Sequence, residues 1–71
     1  MAISYNKLWK LLIDKDMNKT QLGIASGVSS STISKLGKNE QISMDSIMKI
    51  CKVLDCNIGD IVDIIHDNGN D

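Results

Sequence analysis

A chain of 71 residues and 7.8 kDa has room for one domain, because a fold of this size buries only about 60% of the surface that its unfolded chain exposes. A multi-domain enzyme is excluded, and a content of 42% hydrophobic and 24% charged residues is too apolar for a disordered chain. With no Phe, no Pro, one Trp and one Tyr, an all-β fold lacks both its strand formers and its turn punctuation, so the composition points to helices.

Taken in chain order, the pattern predicts five short helices and a compact all-α bundle. Tyr5, Leu8, Trp9 and Leu12 follow the i, i+3, i+4, i+7 spacing of one helical face, widened by Leu11 and Ile13, which predicts a helix over 4–15. Asn18 is a strong N-cap with Gln21 three residues on, the spacing of a reciprocal capping box, so a second helix starts there. Ser26-Gly27 ends it, since Gly takes the positive φ that turns the chain out of a helix. Ser29 caps a third helix over 30–36 with Ile33 and Leu36 inward, Gly37 is expected just past its end, and 37–42 form a polar loop. Ser43 caps a fourth helix whose Ile47, Ile50, Cys51 and Leu54 repeat the spacing. After a turn at 55–57, Ile58, Ile61, Val62 and Ile65 give it again, predicting a fifth helix to about residue 65 despite Gly59. The expected domain spans 1–71, with a core over about 4–65 and a frayed tail over 66–71.

The net charge of −1 conceals a polarised chain. All eight bases are Lys within residues 1–52, against four acids there, a body of +4; residues 53–71 hold five acids and no base, giving −5. A basic body can still present a positive patch to phosphates. No stretch of about 18 apolar residues or secretory leader is evident, so the expected compartment is the cytoplasm, with Cys51 and Cys56 as reduced thiols. Two cysteines and one distant His do not make a structural zinc site, and no metal or other cofactor is expected. His66 has no nucleophile or acid placed around it by the sequence and reads as solvated. Without a phosphate-cradling loop or a catalytic constellation, the chain is read as a non-enzyme, with no small-molecule ligand and no membrane partner.

The informative stretch is 19–38, KTQLGIASGVSSSTISKLGK. Two short helices meet at a tight Gly turn, small Gly23 sits where they must approach closely, and Leu22, Val28, Ile33 and Leu36 can anchor the pair to a core. That leaves Ser30, Ser31, Ser34 and Lys35 on the outward face of the later helix. A plain helical hairpin whose Ser-rich turn caps a helix fits the same pattern. The order TQLGIASGVSSSTISKL, then GK, then S-x-x-x-I-x-K-I-C-K-V-L-D-C, resembles the DNA-binding domain of phage repressors of the Cro and cI type, also called the xenobiotic-response-element (XRE) family. The resemblance covers about residues 5–65.

The resemblance implies a lambda-repressor-like five-helix fold with a helix-turn-helix in helices two and three, the third helix entering the major groove. It implies base reading by Ser30, Ser31 and Lys35, with Ser34 close by, and phosphate contacts from Asn18, Lys19, Ser29, Lys38 and Asn39. The chain departs from the strongest form of base readout in having no Arg. The bidentate Arg fork discriminates guanine by about 1–3 kcal/mol, whereas Lys is a point charge and Ser a short, permissive group. One half-site is therefore weak, and a homodimer on a pseudo-palindromic operator in double-stranded DNA, most simply as a bacterial or phage repressor, is the expected mode. The apolar excess of Ile58, Ile61, Val62, Ile64 and Ile65 marks the expected dimer surface. The competing reading is a helical protein-interaction module, an anti-repressor or antitoxin-like partner that keeps the fold.

Overall fold

The computed structural model describes residues 2–66 and holds β1 (Ala2–Ser4), α1 (Asn6–Asp14), α2 (Lys19–Ser26), α3 (Ser30–Gly37), α4 (Met44–Leu54), a 3-10 turn (Ile58–Asp60) and β2 (Asp63–Ile65). Residues 67–71, most of the expected tail, lie outside the described residues. The helix starts follow the capping chemistry. Asn18 accepts from the Gln21 amide at 2.8 Å while Gln21 Oε1 accepts from the Asn18 amide at 2.9 Å. Ser29 and Ser43 cap α3 and α4 by accepting from the Thr32 and Ser46 amides. Each such cap satisfies an amide that the helix itself leaves open, worth about 1 kcal/mol.

The amphipathic stripes converge on one core. Tyr5, Leu8 and Leu12 meet Leu22, Leu36, Ile47, Ile50, Leu54 and Ile61, all buried. α4 lies across α2, so the core supports the helix-turn-helix from behind. Its front end is tied down by Tyr5, which is fully buried. The Tyr5 hydroxyl donates to the Glu40 carbonyl at 2.7 Å and the Tyr5 amide to Asn39 Oδ1 at 3.3 Å. These two bonds fasten the loop after α3 to the start of α1.

The structure corrects three expectations. The fifth helix does not form: only Ile58–Asp60 coil, as a 3-10 turn closed by the Asn57 amide donating to Asp60 Oδ2 at 3.0 Å. Asp63–Ile65 then runs antiparallel to Ala2–Ser4, pairing Ile3 with Ile64. Val62, Ile64 and Ile65 are β-branched, which costs side-chain freedom in a helix and fits a pleated strand, and an N-terminal partner was available to pair with. The fold is thus four α-helices with a small two-stranded sheet. The first helix starts at Asn6 rather than residue 4, because Ser4 belongs to β1 and turns its buried hydroxyl to accept from the Asn6 amide. Gly37 is the last residue of α3 rather than the turn beyond it. The left-handed position is Asn39, at φ 56°, a conformation that Asn tolerates better than most residues.

Candidate nucleic-acid interface

The turn between α2 and α3 is built by one glycine and one close approach. Gly27 takes φ 78° and ψ 10°, and its amide closes α2 by donating to the Gly23 carbonyl at 3.0 Å. A Cβ on Gly23 would meet Ile33 Cγ1 at 3.3 Å, so α3 crosses α2 close to the limit that any side chain permits. Leu22 and Leu36 are buried beneath the crossing, while Val28 and Ile33 pack at its edge. This clamp leaves Ser30, Ser31, Ser34 and Lys35 exposed together on α3.

Around that face the charge is one-sided. Residues 17–39 contain Lys19, Lys35 and Lys38 and no acid. The first turns of α2 and α3 carry no acidic residue, whereas the first turn of α4 carries Asp45. The open amides and the positive dipole ends of α2 and α3 therefore face solvent with no side-chain anion in either first turn, the electrostatics of a phosphate-binding surface.

The candidate residues divide into groups. Lys19 and Ser30 line one groove, together with Thr20, Gly23, Ile24 and Val28. Lys35 and Asn39 line a second groove that runs toward Ile42 and β1. α3 joins the two, and Lys38 caps its end. Ser29 and Ser31 are committed to each other, their hydroxyls 2.9 Å apart, with the Thr32 hydroxyl 3.1 Å from Ser29. Ser30 and Ser34 are the serines of α3 whose hydroxyls enter no such cap. Asn39 spends its side-chain carbonyl oxygen on the Tyr5 amide, so its side-chain NH2 is the group it has left to donate. Asn18 spends its own carbonyl oxygen on the capping box and opens toward Ile13, Asp16 and Gln21 rather than into either groove.

Trp9 is the residue that the sequence reading missed. The Lys19 ammonium stands 4.5 Å from the centre of its indole ring. On the other side, a Cβ on Gly37 would lie 3.6 Å from Lys19 Nζ. Lys19 thus bridges α1, α2 and the end of α3, held by a cation–π contact at the surface. The spacing of Trp9 within an apolar stripe announced burial, and nothing local linked it to a lysine ten residues away.

A short capped helix, a left-handed glycine turn and a second helix with an exposed, acid-free polar face define a helix-turn-helix domain. Residues 7–67 match the Cro/C1-type helix-turn-helix DNA-binding domain, and the chain belongs to that family. Among solved structures it is similar to the crystal structure of the transcriptional regulator VanUg, Form II, with 53% identity over 93% of this chain and 88% of that one, and a TM-score of 0.89. No curated protein matches the chain. Among the described residues, no cluster of three potential metal ligands occurs and no helix is long and apolar enough to cross a membrane.

Proposed function

We propose that the chain is a sequence-specific transcriptional regulator, acting as a repressor, that binds a pseudo-palindromic operator as a homodimer with α3 in the major groove. The observation that carries this reading is the exposed face of Ser30, Ser31, Ser34 and Lys35, flanked by Lys19 and Lys38 in a stretch of 23 residues without an acid. In this reading Lys35 reaches a guanine edge, and the small serines let the helix backbone lie deep in the groove. Lys19, Lys38 and the first-turn amides of α2 and α3 grip phosphates, with Asn18, Ser29 and the side-chain NH2 of Asn39 alongside. Two copies supply the specificity that one arginine-free half-site lacks. Of the expected pairing surface, Ile61 is buried in the core and Val62 packs against it, so the exposed Ile58, Ile64 and Ile65 are left to offer the apolar surface for pairing. Residues 1–71 act in this reading as one DNA-binding domain in the cytoplasm, without cofactor.

The test is to pass sheared DNA from the source organism over the purified protein at low and moderate salt and to sequence what is retained. The reading expects a short pseudo-palindrome, released as salt rises because phosphate contacts expel counterions. Retention without sequence preference leaves a phosphate binder only. No retention at either salt overturns the reading in favour of a protein partner.

A further inference from the structure

The end of α4 brings together two thiols that the DNA reading does not use. α4 stops at Asp55, whose φ of 52° and ψ of 54° put it in the left-handed region. The chain therefore doubles back at once, and the Cys56 amide donates to the Cys51 carbonyl at 3.0 Å, five residues earlier. This six-residue closure characteristically sets the side chains of its first and last residues against each other. Here those residues are both cysteines, each half-buried and reduced. Burial first, and then the facing Cys51 thiol, push the Cys56 thiol up to about 11, so at neutral pH Cys56 rests as the thiol. Cys56 also lines a pocket open to solvent beside Lys15 and Asp60, which gives a small reagent a way in.

We propose that Cys51 and Cys56 are a dithiol modification site that closes to an intramolecular disulfide by exchange with a low-molecular-weight disulfide, clamping the chain where it leaves α4. A disulfide asks for Cα atoms about 4.4–6.8 Å apart and side chains that face each other, and the backbone bond between these two residues supplies that approach without refolding. Cys56, reached through the pocket, loses its proton to solvent and attacks one sulfur of the small disulfide. A mixed disulfide forms on Cys56, the small S–S bond breaks and the first thiolate leaves. Cys51, deprotonated in turn, attacks the Cys56 sulfur and displaces the second thiolate. The protein gives up two electrons and two protons, and the small disulfide departs as two thiols. The loop that the clamp closes holds the buried Leu54, and the buried Ile61 follows it five residues on; the clamp does not depend on the DNA reading.

The experiment treats the native full chain with oxidised glutathione, without denaturant, and follows it by mass spectrometry and thermal melting. The expected product is a monomer lighter by two hydrogens, with both thiols lost and a melting midpoint raised by about 10 °C. Cys51→Ser should instead stop at a glutathione adduct on Cys56. The proposal is overturned if the wild-type chain stops at a glutathione adduct, if the thiols link two chains, or if they react only once the protein is unfolded.

Discussion

The helix-turn-helix and the C-terminal segment are both short and built from ordinary residues, yet they are specified in different ways. From Asn18 to Lys38, every turn of the backbone has a local cause: a capping box, a left-handed glycine, a serine cap and a glycine where two helices cross. Beyond the locally capped turn at Asn57–Asp60, the cause over Asp63–Ile65 is distant. The strand there exists because Ala2–Ser4, some sixty residues away, lies alongside it. A segment held by local chemistry presents a fixed face, as a surface that reads DNA must. A segment held by a three-residue pairing is an edge, since two short strands alone are marginal in water.

This contrast can be broken first at the two anchors. Leu22→Ala beneath the helix crossing and Ile61→Ala in the C-terminal segment each remove a fully buried side chain and should cost about 3 kcal/mol in urea unfolding. If Ile61→Ala cost much less, the C-terminal segment would be a loose appendage rather than part of the core. Next come the local devices. Gly27→Ala forces a side chain into the left-handed region, and Asn18→Ala removes the capping box; each should cost about 1 kcal/mol. The same measurement on Gly23→Ala should show a smaller change, because the gain in helix propensity offsets the tight approach to Ile33.

A weaker effect follows from the alkaline titration of Cys56. Its thiol is raised from 9.0 to about 11 in the folded chain, so the unfolded chain ionises first. Stability is then fully present below about pH 9 and declines as pH rises toward 11. Cys56→Ser should remove that part of the decline. Tyr5, raised by burial above its ordinary 10.0, should continue the decline at higher pH. The smallest effect belongs to the sheet edge. Ile64 is half-exposed, so Ile64→Ala should change monomer stability by less than about 0.5 kcal/mol while weakening any dimer that uses this edge.

How much of this was legible in the sequence follows the same division. Asn18 with Gln21, Ser29 and Ser43 announced the starts of α2, α3 and α4, and Ser26-Gly27 the end of α2, because caps act within three residues. The core stripes Leu8, Leu12, Ile47, Ile50 and Leu54 were legible from their period. The stripe at Ile58, Ile61, Val62 and Ile65 misled, because a run dense in branched aliphatics matches a helical spacing as easily as a strand. Only the N-terminal partner decides between them. The turn after α3 was displaced from Gly37 to Asn39, where Asn39 bonds to Tyr5, a tertiary contact that no local pattern carries. For the interface, the exposure of Ser30, Ser31, Ser34 and Lys35 was readable from helical spacing. The mutual commitment of Ser29 and Ser31 and the stacking of Lys19 on Trp9 were not, since both depend on side-chain positions fixed by packing.

The central claim, that the exposed face of α3 reads DNA, is tested most directly on an operator fragment recovered from genomic retention. Its affinity should be measured for the wild-type chain, Lys35→Ala, Ser30→Ala and Lys7→Ala. Lys7 lies away from the helix-turn-helix and donates to the Gly59 carbonyl at 3.3 Å, so it serves as the control. The account predicts a loss of about tenfold or more for Lys35→Ala with relaxed preference at one base pair. Ser30→Ala should lose less, and Lys7→Ala should stay within about twofold of wild type. Equal losses for Lys35→Ala and Lys7→Ala, or a larger loss for Ser30→Ala than for Lys35→Ala, would contradict it.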